Sequence, residues 1–240
     1  MLLTIIIPVY NEEETLEELI NTVFKVALNK EVIVINDGSS DQTKDIIDNI
    51  EQEYKSNPNL YPYLENLRII NKINKGKGSA VKVGYQIANG DIIIIQDADL
   101  ELDPNDYSIL VAPFKTMDAD IVFGSRFLNN NNINKTIFYF GNIIITKFSN
   151  LFTGIEMTDV ETCYKVFKKE VVQSFNVKSD GFSIDPELAS YTGKAVRNGK
   201  LFYEVPVSYS PRSYLMGKKI KYWDGVRAIF SIIRYNLLPW

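Results

Sequence analysis

The chain has 240 residues, 45% hydrophobic and 23% charged, enough for a sizeable core in one domain or one domain with an appended C-terminal element. Its net charge of −4 argues against a nucleic-acid surface, and its single cysteine, Cys163, excludes an internal disulfide and fits a reducing, cytoplasmic compartment. With no histidine, catalysis must run on carboxylates, lysine, tyrosine, a hard metal ion or the substrate's own charge.

The first strand is expected over residues 3–7, a run too short and unflanked to read as a secretory signal. It leads into Pro8-Val9-Tyr10-Asn11-Glu12 and a helical pattern over 12–28. A second strand, 31–35, ends in Asn36-Asp37-Gly38-Ser39-Ser40-Asp41, where Ser40 or Asp41 can cap a helix over 41–54. Strand 67–70 is followed by Lys75-Gly76-Lys77-Gly78-Ser79 and a helix over 79–88. Glycines there let backbone N–H groups approach a phosphate at a helix N-terminus, with Lys77 as a further phosphate ligand. The spacing is not that of a Walker loop.

The most informative stretch is the strand over 91–96, which runs through Ile92-Ile93-Ile94-Ile95 into Gln96-Asp97-Ala98-Asp99. Continuous apolar runs of this kind are strands buried on both faces, and their alternation with helices implies a parallel, doubly wound α/β sheet. Ligands bind beyond the carboxyl ends of such strands, where two neighbouring carboxylates are costly unless a cation neutralises them. Mg²⁺ or Mn²⁺ with substrate phosphates suits that role. A solvated turn carrying two surface acids is the alternative reading, and Asn-Asp-Gly-Ser is likewise an ordinary turn before a capped helix.

Asp103-Pro104 starts a weaker helix, followed by a strand over 120–123. The Asn-rich stretch 129–134 reads as a mobile loop and 136–152 as an apolar helix. A helix over 185–198 leads to a strand over 201–207. The tail, 219–238, is an amphipathic helix appended to a domain of residues 1–218. It combines an aromatic-aliphatic stripe with Lys218, Lys219, Lys221, Arg227 and Arg234. The tail reads foremost as packed on the sheet and also as attached to an anionic membrane interface. Helix 136–152 reads as core, as a lipid-facing flap or as an attachment to a membrane subunit. No stretch approaches the roughly 20 apolar residues of a membrane span.

Taken in order, Pro-Val-Tyr-Asn-Glu, Asn-Asp-Gly-Ser, residues 74–80, Gln-Asp-Ala-Asp-Leu and Gly124-Ser125-Arg126-Phe127 resemble the family 2 glycosyltransferases with a GT-A fold. Residues 158–167, 182–187, 204–207 and 212–219 extend the likeness, which is strongest to dolichol-phosphate mannose synthases and bacterial polyprenyl-phosphate sugar synthases. The resemblance implies that Pro8, Tyr10, Glu12 and Asp37 hold the base and ribose of a UDP- or GDP-hexose donor. Asp97, Ala98 and Asp99 would meet its diphosphate and the metal, with Glu101 where a metal-contacting Gln is common. Arg126, Arg212 and Lys218 would hold phosphate oxygens. Asn36 stands where Asp is common, and Leu215-Met216 replace a frequent Gly-Glu.

Inversion by direct displacement is likewise implied. A polyprenyl phosphate acceptor, with a second pKa of about 6, is already an anionic nucleophile. A saccharide hydroxyl acceptor would need a base, for which Asp159 is the candidate; Asp159 also reads as a helix cap or as the partner of Arg126, and Glu161 reads as structural. Rival readings are transfer to a saccharide hydroxyl in surface-polymer assembly, a non-catalytic nucleotide-binding subunit of a membrane complex, and a nucleotidyltransferase.

Overall fold

The computed structural model describes residues 1–128, 137–212 and 222–237. The Asn-rich stretch, Leu215, Met216, Lys218, Lys219 and Lys221 lie outside the described residues. The elements run β1 (Leu3–Val9), α1 (Leu16–Lys25), β2 (Lys30–Asn36), α2 (Thr43–Ser56), β3 (Leu64–Asn71), α3 (Lys77–Ile87), β4 (Ile92–Ile95), α4 (Tyr107–Thr116) and β5 (Ile121–Ser125). Then come α5 (Ile137–Thr153), β6 (Lys165–Lys168), α6 (Lys169–Gln173), α7 (Ile184–Arg197), β7 (Phe202–Pro206) and α8 (Tyr222–Leu237).

These strands form one seven-stranded sheet in the order β3-β2-β1-β4-β6-β5-β7. β1 pairs parallel with β2 and β4, β2 with β3, and β5 with β7. The central strands are closed off on both faces: Ile5, Ile6, Ile7 and Ile93, Ile94, Ile95 are fully buried. α1 turns Leu16, Leu19, Ile20, Val23 and Phe24 inward, the spacing of one helical face. α3 presses on β1 at Gly84, where a Cβ would lie 2.5 Å from Ile6.

β6 runs against its neighbours, pairing Ile93 and Ile121 with Phe167. The strand was not anticipated. Its four residues, Lys-Val-Phe-Lys, show neither a long apolar run nor a clear alternation. α5, α7 and α8 pack together outside the sheet, with Ala228, Ile232 and Tyr235 of α8 buried. Tyr235 meets the Ser179 hydroxyl at 2.7 Å, and the Asn236 amide donates to Ser190 Oγ at 2.8 Å. Among the described residues, no helix is long and apolar enough to cross a membrane.

Candidate functional site

The parallel register brings the carboxyl ends of β1, β2, β4 and β5 to one rim of the sheet. Because β6 is reversed, its start lies at the same rim, so residues 159–164 stand beside the segments that follow β4 and β5. Cys163 Sγ, 3.5 Å from the Ile95 carbonyl, ties that segment to the end of β4.

At the β2 end, Asp37 organises protein rather than facing open space. Its carboxylate accepts from the backbone N–H of Lys75 (3.1 Å) and Gly76 (2.7 Å) and pairs with the Lys72 ammonium. Gly76 is needed there: its φ is +101°, and a Cβ would stand 2.5 Å from the Asp180 carbonyl oxygen. Asn36 accepts from Ser39 N–H and donates to Asn71, while Asn11, at φ +50°, accepts from Ser40 N–H at 2.8 Å. Tyr10 is exposed, and Pro8 lies in β1 opposite Ile35.

Lys77 opens α3 and reaches under the acidic pair, with Nζ 2.9 Å from the Asp97 carboxylate and 3.4 Å from Asp185. Burial acts to lower its pKa, but Asp185 and Asp97 outweigh this and hold the ammonium well above its usual range. Asp185 in turn binds the fully buried Lys165 at 2.8 Å. Burial acts to raise the Asp185 carboxyl, and the two lysines more than reverse it.

Asp97 and Asp99 keep 29% and 28% of their side-chain surface open. Leu100, at φ +59°, bends the chain back so that Glu101 N–H donates to Asp99 at 3.2 Å. Burial, then the charges of Asp97 and Glu101, push Asp99 up to about 7. Arg212 Nη2 lies 4.0 Å from Asp99 and 2.6 Å from Glu12, and Arg212 N–H donates to Glu101 at 2.9 Å. The Thr15 hydroxyl lies 2.9 Å from Glu12 and 2.8 Å from the Ala98 carbonyl. Glu12 therefore works as a bracket between the β1 loop, the β4 loop and Arg212.

Among the described residues, no three carboxylates are gathered into a cluster able to hold a metal ion. The expected triad of Asp97, Asp99 and Glu101 is thus not preassembled, and the Glu101 carboxylate accepts from the Arg212 backbone N–H. A hard cation held by one or two carboxylates and completed by phosphate oxygens needs no such triad.

Beside this group, Arg126 grips Asp159 and stacks on Tyr209, 5.0 Å from guanidinium to ring centroid. Burial acts to lower Arg126, and Asp159 overcomes it and keeps the guanidinium protonated. Asp159 is fully buried and also accepts from the Asn142 amide at 3.3 Å. Tyr209 lies between the two groups: its ring takes the Arg126 guanidinium, and burial followed by the charge of Glu101 pushes its phenol up.

The structure brings together Glu12, Lys77, Asp97, Ala98, Asp99, Glu101 and Arg212, with Arg126 and Asp159 alongside. Asp37 stands apart at the next loop, and Lys218 lies outside the described residues. Sequence reasoning gave no role to Lys165, Asp185 or Tyr209. A lysine inside the apolar run Cys163-Tyr164-Lys165-Val166-Phe167 is the signal of a buried ion pair that was available.

A family model described as glycosyl transferase family 2 matches residues 4–175. A dolichol-phosphate mannosyltransferase of Pyrococcus furiosus is 28% identical over 98% of this chain and 65% of its own length. A dolichyl-phosphate beta-glucosyltransferase of Trichomonas vaginalis is 25% identical over 97% of the chain and 72% of its own. An undecaprenyl-phosphate 4-deoxy-4-formamido-L-arabinose transferase of Proteus mirabilis is 28% identical over 88% and 60%. The chain thus spans between 60% and 72% of these relatives' lengths. Among solved structures, glucosyl-3-phosphoglycerate synthase of Mycobacterium tuberculosis, in complex with Mn²⁺, UDP and phosphoglyceric acid, superposes with a TM-score of 0.67 at 16% identity. That likeness covers 99% of this chain and 79% of the other, and speaks to fold alone. With the family model covering most of the chain and the α/β sheet matching in kind, the chain belongs to glycosyl transferase family 2 and has its GT-A fold.

Proposed function

We propose that the chain transfers a hexose from a UDP- or GDP-sugar to a polyprenyl phosphate with inversion, and that Asp97 and Asp99 hold Mg²⁺ or Mn²⁺ against the donor diphosphate. The carrying observation is the crowding at the end of β4: two part-exposed carboxylates lie side by side, and Asp99 is pushed up to about 7 by its neighbours. A divalent cation relieves that repulsion, so the donor set fits one. When bound, such an ion neutralises charge developing on the departing diphosphate.

The chain's own groups do the rest. Lys77 braces Asp97 from below, and Arg212 and Arg126 bring guanidinium donors to phosphate oxygens of donor and acceptor. Lys218 is assigned to the same task by its place in the sequence motif. Pro8, Tyr10 and the loop organised by Asp37 face the nucleoside. An acceptor phosphate oxygen attacks the anomeric carbon as its bond to the diphosphate breaks, and the nucleoside diphosphate leaves with the electron pair. No proton need be removed from such an acceptor. Asp159, buried and engaged by Arg126 and Asn142, serves as a positioning residue rather than a base. The names of the three curated relatives, all transferases to polyprenyl or dolichyl phosphates, support the same acceptor class.

The test is a panel of nucleotide sugars with a short polyprenyl phosphate, assayed with Mn²⁺, with Mg²⁺ and with chelator. The expected result is metal-dependent formation of one glycosyl polyprenyl phosphate. Transfer only to a saccharide hydroxyl, or turnover indifferent to divalent ions, would overturn the proposal.

A further inference from the structure

α5 and α8 are neighbours, the chain at Gly225 of α8 passing close to Ile145 of α5, and each leaves several large apolar side chains exposed. On α5 the outward stripe is Phe140, Ile144, Lys147 and Leu151, spaced four, three and four residues apart on one helical face. Leu151 is 76% exposed, whereas Thr146, Ser149 and Thr153 of the same helix are buried. On α8 the stripe is Trp223, Arg227, Phe230, Arg234 and Leu237, with Trp223 66% and Phe230 68% exposed, while Ser231 is buried. Single exposed apolar residues are ordinary; large apolar side chains gathered on the outer faces of two adjacent helices, while hydroxyls share the inner faces with Ile145, Ile232 and Tyr235, are not.

Charge selects the occupant. α5 contains no acid, and the only acid of α8, Asp224, lies 3.3 Å from Arg227. These two helices thus carry three cations, Lys147, Arg227 and Arg234, against the single acid Asp224, on a chain whose net charge is −4. A second copy of this surface would bring three more cations and one acid, Asp224, already taken by Arg227. An anionic bilayer supplies both an apolar phase and phosphates above it. α5 also carries Asn142, which donates to Asp159 beside Arg126, so this face stands one helix away from the candidate site.

We propose that the outward faces of α5 and α8 form a peripheral docking surface for an anionic lipid bilayer. Phe140, Ile144, Leu151, Trp223, Phe230 and Leu237 enter the boundary between headgroups and acyl chains, and Lys147, Arg227 and Arg234 meet lipid phosphates. The docking goes beyond the transfer reaction and does not require it.

The experiment is flotation of the full chain with vesicles of phosphatidylcholine alone and of phosphatidylcholine with phosphatidylglycerol. The expected result is binding to the anionic vesicles that weakens as salt rises. Leu151→Ser with Phe230→Ser, and separately Arg227→Glu with Arg234→Glu, should each lower the partition about tenfold or more. Circular dichroism and donor binding should stay as in the wild type. Equal binding by wild type and variants, or no vesicle binding together with self-association through this face in light scattering, would overturn the proposal. A wild-type chain that floats with anionic vesicles yet transfers no sugar would instead count against the proposed reaction alone.

Discussion

Arg126 and Asp159 meet through two parallel hydrogen bonds, Nε to Oδ2 at 2.6 Å and Nη2 to Oδ1 at 2.8 Å, with the carboxylate wholly buried. A carboxylate so engaged fixes the guanidinium and is poorly placed to take a proton. Asp159→Asn should therefore raise KM for phosphate-bearing substrates about 10-fold to 100-fold and leave the shape of the pH–rate profile unchanged. Arg126→Ala and the double variant should fall to nearly the same level, because the residues act as a unit. A fall in kcat of about 10²–10⁴-fold at constant KM, with the low-pH limb of the profile lost, would restore Asp159 as a general base.

Asp99 gives a pH dependence whose sign can be worked out. Its carboxyl is held at about 7 instead of 3.8, so near pH 6 the folded chain carries a proton there that an ordinary aspartate would have lost. A divalent cation must displace that proton. The apparent affinity for Mn²⁺ should rise with pH through about 7 and level off above it. Titration calorimetry in buffers of different ionisation enthalpy should detect the released proton. Asp99→Asn should abolish the release; a wild-type affinity flat from pH 6 to 8 would contradict the assignment.

Lys77→Met separates a buried strut from a phosphate ligand. Removing one partner of a buried ionic group costs about 3–5 kcal/mol, which in a chain of this size lowers the melting temperature by about 10 °C. That drop should appear in the ligand-free protein, because Asp97 and Asp185 both lose a cation. An unchanged melting temperature with weakened donor binding would mean that Lys77 serves the donor directly.

Glu161 carries an Oε1 with no hydrogen-bond partner and no access to solvent. Burial, then Asp185, push its carboxyl from 4.5 up to about 7. Between these values the folded state holds a proton that the unfolded state releases, so stability should fall as pH rises from about 4.5 to 7. Glu161→Gln keeps the shape and removes the charge. Its melting temperature should exceed the wild type's at pH 8 and match it at pH 4. Parallel curves for the two proteins across that range would remove this account.

The strands of the first half were legible because buried parallel strands read as unbroken Ile/Val runs. The expected 91–96 became Ile92–Ile95, and 120–123 became Ile121–Ser125. The first helix starts at Leu16 instead of residue 12, since Glu12 N–H is drawn to the Thr43 hydroxyl and its carbonyl caps Leu16. β6 escaped notice because so short a reversed strand carries no periodic signal of its own. Its partners are distant too: Lys165 finds Asp185, and Lys77 finds both Asp97 and Asp185, only once the sheet is assembled. The acidic pair at the strand end was visible from local order alone. That Asp37 would hold a backbone loop, and Glu12 an arginine 200 positions away, was not.

The reversal of β6 has a modular consequence. The chain leaves the rim at Arg126 and comes back to it at Lys165, so everything between departs from and returns to the same side of the sheet. That excursion can be lengthened, shortened or exchanged without altering a single strand pairing. A change there would leave the sheet, and the half of the cleft built by the first four strands, as it was.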